Sequence, residues 1–234
     1  MKKSKVLSKR LLAVVKMVSI GKRAADIGTD HGYIPMYLAE HKIKESIIAA
    51  DINDGPLEIA KKNIENLGFS NQIEVRKSNG LKAIHKEEVE SFVIAGMGGA
   101  LIIKILEDGK EKITEHTELI LQPQSELEKV REFLERNALQ ILDEDMVYEE
   151  GKFYFVMKVK KGEKVLTEQQ RKFGPILLER KHQVLWEFLE TEKKRIENVL
   201  LEIGKKEDEE IRKRVAVLEA ELQEIEAVLE GKWR

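Results

Sequence analysis

The chain has 234 residues, 42% of them hydrophobic and 36% charged, with 41 basic against 43 acidic side chains and a net charge of −2. Near-neutrality excludes a global positive field, and the absence of cysteine excludes a disulfide scaffold, a Cys-ligated metal and a thiol nucleophile. The apolar fraction suffices for a core, the length allows one large domain with an appendage at roughly 150 residues per domain, and no apolar run reaches the roughly 18 residues that mark a membrane span.

Charge is unevenly spread. Residues 1–23 carry Lys2, Lys3, Lys5, Lys9, Arg10, Lys16, Lys22 and Arg23 and no acid, a local charge of +8. A basic front before the apolar Leu11–Val15 begins as a secretory signal does. Lys16 interrupts the run, however, and no small-residue cleavage site follows. We read the segment as the first helix of a cytoplasmic domain, its basic face either solvated or set against phosphates.

The body then alternates short strands with helices. Strands are expected at Ala24–Gly28, Ser46–Asp51, Ile73–Lys77, Ser91–Ala95 and Glu118–Leu121, the fourth being continuously apolar as a strand buried on both faces must be. Helices are expected over Ile34–His41, over Gly55–Leu67 with Gly68 as its C-terminal cap, over Ala100–Leu106, and from Ser125 to Asn137 with Glu128 as capping-box partner. Leu139–Glu149 and Lys152–Lys160 follow without a helix between them, so they pair as an antiparallel hairpin turning at Gly151. Alternating β and α elements make a doubly wound parallel α/β sheet, and the terminal hairpin gives it the outline of a Rossmann-like methyltransferase fold.

From about residue 161 the composition shifts, so domains are expected over 1–160 and 161–234. The tail has two apolar seams. Leu178, Leu185, Leu189, Ile196, Val199 and Ile203 form one, with His182 in register; Ile211, Val215, Leu218, Leu222, Ile225 and Leu229 form the other, at strict 4-3-4-3-4 spacing. Such seams belong to a coiled coil. With a polar turn at Gly204–Asp208 they predict an antiparallel helical hairpin. From Pro175 onward the tail carries 12 basic and 15 acidic residues, so it is no polybasic arm.

Ligands of open parallel sheets bind beyond the carboxyl ends of the strands, and four loops fall there. The first is Asp26-Ile27-Gly28-Thr29-Asp30-His31-Gly32, after strand one. It lacks the G-x-G-x-x-G that seats a pyrophosphate on a helix N-terminus. Asp30 instead offers a carboxylate, which suits a cation such as the sulfonium and ammonium of S-adenosylmethionine. Asp51-Ile52-Asn53 ends strand two, where an acid can accept bonds from ribose hydroxyls. Ser78-Asn79-Gly80 follows strand three, its short polar side chain placed to meet an adenine amine. Ala95-Gly96-Met97 with two further glycines follows strand four, letting a ligand lie against the backbone. The Asn/Asp-Pro-Pro-Tyr/Phe motif of exocyclic-amine methyltransferases is missing, whereas a ring nitrogen with a free lone pair needs chiefly alignment. Asp30 is the candidate catalytic carboxylate, stabilising positive charge on the methylated ring, or else a cofactor ligand. His31 and Tyr33 are candidate base-positioning neighbours.

Taken together, Asp26–Pro35, Ala50–Asn53, Ile94–Gly99, Leu121–Gln124 and the opening Leu7–Leu12 resemble the bacterial tRNA (adenine-22-N1)-methyltransferases over the whole chain. The resemblance implies a class I methyltransferase domain, S-adenosylmethionine as donor and tRNA as substrate. It also implies a cofactor site including Gly28, Asp30, Asp51, Asn79, Gly80, Gly96 and Met97, and a substrate side of Arg10, Gln122, Pro123 and Gln124. Asn79 departs from the more usual Asp. No metal or membrane partner is implied, and the seams close within one chain, a monomer, or between chains. Two other readings stay open: a non-catalytic nucleotide-fold scaffold presenting the coiled coil, and a methyltransferase acting on a small molecule or protein.

Overall fold

A computed structural model of the chain describes residues 7–41, 45–203 and 208–233, so Lys2, Lys3, Lys5 and most of the expected 204–208 turn lie outside the described residues. Two compact units divide between Val165 and Leu166. Among the described residues no helix is long and apolar enough to cross a membrane.

The first unit is built on a seven-stranded sheet: β1 Ala24–Ile27, β2 Ile47–Asp51, β3 Ile73–Lys77, β4 Ser91–Met97, β5 Glu118–Pro123, β6 Leu139–Glu149 and β7 Lys152–Lys161. Their order is β3-β2-β1-β4-β5-β7-β6. The first five run parallel, and β7 enters antiparallel against both β5 and β6. Helices α1 Lys9–Met17, α2 Tyr33–His41, α3 Asp54–Leu67, α4 Gly99–Asp108 and α5 Leu127–Arg136 complete the unit. Phe92, Val93 and Ile94 of β4 and Leu119, Ile120 and Leu121 of β5 are buried, the continuous apolar reading of a central strand. Gly68 ends α3 in the left-handed conformation at φ +79°, as expected of a helix-terminating glycine.

Helix α1 is fastened at both ends by the far part of the chain. The Glu149 carboxylate of β6 accepts the Lys9 and Arg10 backbone N–H groups at 2.6 and 3.1 Å. At the other end Lys158 of β7 donates to the Met17 carbonyl at 3.0 Å, and Glu118 accepts from Ser19 N–H at 2.8 Å. These bonds satisfy free groups at and just beyond the helix ends and hold Arg10 at the sheet's edge of interest. Lys22 and Arg23 are spent locally, paired with Glu90 at 3.5 and 3.6 Å.

One expected cap is corrected. Ser125 does not start α5; the residue before that helix is Glu126, at φ +55°, and no side chain caps it. Ser125 Oγ instead accepts the Gly99 N–H at 3.3 Å and Glu126 accepts the Ala100 N–H at 3.0 Å, so both serve the N-terminus of α4. The turn after β5 is drawn to its neighbour because the Gln124 N–H donates to the Met97 carbonyl at 2.8 Å.

The second unit contains α6 Glu168–Phe173, opened by a capping box of Thr167 and Gln170, then α7 Pro175–Glu179, α8 Gln183–Ile203 and α9 Glu209–Trp233. The expected seam from Leu178 is broken: the chain turns after α7, with Lys181 at φ +50°, so Leu178 belongs to α7. His182 precedes α8, its carbonyl accepting the Trp186 N–H at 3.1 Å. Leu185, Leu189 and Ile196 are the buried positions of α8; Leu218, Ile225 and Val228 are those of α9. Lys193 reaches Glu226 at 2.7 Å, a pairing that needs α9 to fold back along α8.

Candidate functional site

The strand order reverses between β1 and β4, and a cavity of ≈ 290 Å³ opens there, beyond the carboxyl ends of the strands. Eight residues singled out from the sequence line it: Arg10, Gly28, Asp30, His31, Tyr33, Ala95, Gly96 and Gln124. Leu11, Asp26 and Ile34 join them. Larger hollows of ≈ 480 Å³ beside α3 and β3 and ≈ 470 Å³ between α4 and α5 contain none of the singled-out residues, so size alone does not mark the site.

Glycine matters at two points of the rim. Gly28 sits at φ +81°, and a Cβ there would stand 2.1 Å from the Met97 methyl, so the Met97 side chain lies over the first loop. Gly96 sits at φ +77°, and its Cβ position faces the Arg10 guanidinium at 3.6 Å and the Gln124 amide at 3.8 Å. Both conformations cost an ordinary residue strain.

The rim is acidic. Asp30 is 75% exposed at its side chain and reaches His31 Nε2 at 3.3 Å. The His31 and Tyr33 rings stack with centroids 5.1 Å apart. Asp51 accepts the Asn53 N–H at 2.7 Å in a tight turn after β2, and Ile52 is exposed beside it. Asp26 is 5% exposed. Burial pushes its carboxyl from the ordinary 3.8 to about 7; the Thr29 hydroxyl pulls the other way and the Asp51 charge adds to the rise. The sequence places Asp26 at the head of the first loop's motif without giving its side chain a role. The available signal was an ionisable side chain inside a parallel strand buried at all four positions.

Other expected residues stand elsewhere. Thr29 is buried beneath the first loop. Gly32 packs on Ala60 of α3, its Cβ position 3.4 Å from that methyl. Gly80 packs on Ile105 of α4 at 3.2 Å. Asn79 is exposed at the end of β3, and its side chain makes no hydrogen bond among the described residues, because Ser78 ties that turn together through Gly80 and Ala83. Gln122 and Pro123 are buried within β5, behind the cavity. The loops after β2 and β3 thus lie along the same sheet edge, outside the cavity's lining.

The N-terminus of α4 beside this cavity, which in a dinucleotide site would face phosphate, is already occupied by Ser125 and the Glu126 carboxylate. Carboxylates at the rim, a neutralised helix end and glycines admitting a ligand to the backbone fit a cationic, nucleoside-bearing donor. Across the rim, the Arg10 guanidinium lies 5.5 Å from the Tyr154 ring centroid. The fold and this site define a Rossmann-like methyltransferase of the S-adenosylmethionine-dependent class.

The model of the tRNA (adenine(22)-N(1))-methyltransferase family, TrmK, matches residues 24–227. The chain belongs to that family. It is 42% identical over 158 residues to the tRNA (adenine(22)-N(1))-methyltransferase of Bacillus subtilis, covering 68% of this chain and 66% of that protein. Sp1610 of Streptococcus pneumoniae, solved with S-adenosyl-L-methionine, superposes with a TM-score of 0.86 at 35% identity, over 96% of this chain and 100% of that one. TrmK of M. capricolum, solved with S-adenosyl-homocysteine, superposes at 0.83 with 26% identity, over 97% and 99%.

Proposed function

We propose that the chain carries out its family's reaction, methyl transfer from S-adenosylmethionine to N1 of adenine 22 in tRNA, in the cavity between the ends of β1 and β4. The observation that carries this is the buried Asp26 carboxyl, raised to about 7 on the wall of an acid-rimmed cavity. A cationic ligand favours the carboxylate form and so gains from Asp26 what solvent does not supply.

Asp26 and Asp30 hold the positive end of the donor, and Asp51 with Ile52 and Asn53 holds its ribose. Gly28 and Gly96 let the donor lie against the backbone, Met97 covers the first loop, and Asn79 offers its free amide to the adenine. The bound donor supplies an electrophilic methyl group. The ring nitrogen attacks with its own lone pair, so the chain's work is alignment. The stacked His31 and Tyr33 rings support the target base, which must leave its stack to enter. Asp30 faces the charge that develops on the methylated ring. Arg10, with Gln124 beside it, receives phosphate or base edges of the tRNA. The protein acts as a cytoplasmic monomer, the seam of α8 and α9 closed within the chain.

The test is methyl transfer from labelled donor to tRNA transcripts, followed by nucleoside analysis. Labelled 1-methyladenosine at position 22 is expected; none at all defeats the tRNA assignment, and label elsewhere defeats the position. Calorimetry with S-adenosylmethionine is expected to give a one-site isotherm that Asp51→Ala abolishes. A scaffold without catalytic function would give no isotherm.

A further inference from the structure

Strand β4 is irregular where it meets β5: Ala95 pairs with Gln122 and Met97 with Pro123, so Gly96 is an extra residue with no partner in the ladder. Gly96 is itself exposed, and its N–H has no acceptor in the strand ladder. Gln122, whose side chain is fully buried, fills that need: its Oε1 accepts the Gly96 N–H at 3.1 Å. The same oxygen accepts Arg10 Nη1 at 3.0 Å. Its amide nitrogen is turned away, donating to the Pro123 carbonyl at 3.3 Å. An amide oxygen has two lone pairs, and here one is spent on the loop over the cavity floor and the other on the arginine at the cavity mouth.

The chemistry of that acceptor is informative. Arg10 has no carboxylate within ion-pair distance among the described residues: its charge helps to hold the Glu149 carboxyl low from beyond that distance, while its guanidinium is held directly by the neutral Gln122 oxygen and the Tyr154 face, 5.5 Å from the ring centroid. A carboxylate at the same place would bind it more strongly, but would also neutralise it. We propose that Gln122 is a positioning residue: one neutral oxygen aims the Arg10 guanidinium over Gly96 while leaving its positive charge for a tRNA phosphate. This rests on the reading of Arg10 as facing the substrate, and it recasts Gln122 from a substrate contact into the residue behind one.

Gln122→Glu keeps the shape and the acceptor, gives up the bond to the Pro123 carbonyl, and adds a buried negative charge beside Arg10. The expected result is an S-adenosyl-homocysteine Kd within twofold of the parent, tRNA binding weakened about tenfold, and a slope of log Kd against log salt reduced by about one phosphate contact. Arg10→Gln should show the same slope, and the double variant no further loss. Binding is read by filter retention, independent of turnover. If Gln122→Glu does not hold S-adenosyl-homocysteine, Gln122→Met replaces it, keeping the volume without an acceptor, with the same loss of tRNA affinity expected. Unchanged tRNA affinity and salt slope in a folded variant would overturn the proposal, as would failure of both variants to bind S-adenosyl-homocysteine, which would make Gln122 a support of the cofactor loop alone. Parent protein that binds tRNA but forms no 1-methyladenosine would instead defeat the reading of the reaction.

Discussion

Asp26 and Glu118 are carboxylates buried in the same sheet, one toward the carboxyl end of β1 and one at the amino end of β5. Glu118 is surrounded by donors: Ser91 Oγ at 2.6 Å, Ser19 Oγ at 2.7 Å, Ser19 N–H at 2.8 Å and the Lys158 ammonium at 3.2 Å. Burial alone would push its carboxyl up, but these partners outweigh it and hold the group below the usual range. Among the described residues no cation pairs with Asp26, and burial carries it to about 7. A buried carboxylate with a full set of partners is architecture, here the clamp on the end of α1. One that the fold leaves uncompensated on a cavity wall is free to meet a ligand.

Removing the clamp should have the largest effect. Glu118→Ala leaves Lys158, whose side chain is 19% exposed, without its carboxylate. Breaking a buried pair from one side costs about 3–5 kcal/mol, and urea unfolding should report that loss with an unchanged slope. The folded fraction should bind S-adenosyl-homocysteine as the parent does, since Glu118 lies at the opposite end of the strands. A stability loss below about 1 kcal/mol, the range of an exposed pair, would erase the contrast between the two sites.

The second prediction inverts the sign with pH. Asp26 titrates near 3.8 unfolded and about 7 folded, so between those values the folded state holds the extra proton. Its contribution is therefore fully present below 3.8 and is lost as pH rises to about 7. Glu118, held low, contributes above its ordinary value and loses that on acidification. Asp26→Asn should flatten the stability profile across that window by up to about 1.4 kcal/mol per pH unit, read from urea midpoints at successive pH values. It should also weaken S-adenosylmethionine binding. At pH 6 the parent should release a proton when the donor binds, seen as a buffer-dependent heat; parallel pH profiles for parent and variant would show Asp26 already ionised.

The same contrast explains what could be read in advance. The strands and most helices of the first unit came from apolar runs, glycines and one helix-ending Gly68, all local signals, and each observed strand lies within a residue or two of expectation. The loop residues at the rim were legible because glycine and carboxylates stand at strand ends. Asp26 stands in the first motif without a role of its own because its significance is burial, which the sequence displays only as a polar letter in an apolar word. Gln122 was assigned to the substrate side because its neighbours Pro123 and Gln124 share its motif, whereas strand alternation and the extra residue in β4 turn it inward. Arg10 depends on Glu149, 139 positions away, for its backbone anchor. The break between α7 and α8 falls at Lys181, a left-handed residue with no glycine or proline to announce it.

The smallest effect concerns the end of α4 beside the cavity. Ser125 was expected to cap the helix that follows it and instead accepts Gly99 N–H of the helix before it, at a long 3.3 Å. Cap substitutions cost roughly 0.5–2 kcal/mol, and a bond of this length belongs at the low end. Ser125→Ala should therefore lower stability by about 0.5 kcal/mol, resolved by urea midpoints against the parent. The Ala100 N–H remains served by Glu126 at 3.0 Å, so the helix end stays closed to anions. The affinity for S-adenosyl-homocysteine should stay within twofold. A larger change in that affinity than in stability would mean that Ser125, and not the carboxylates across the cavity, sets the site's preference. That outcome would move the centre of recognition from the acids after β1 to the turn after β5.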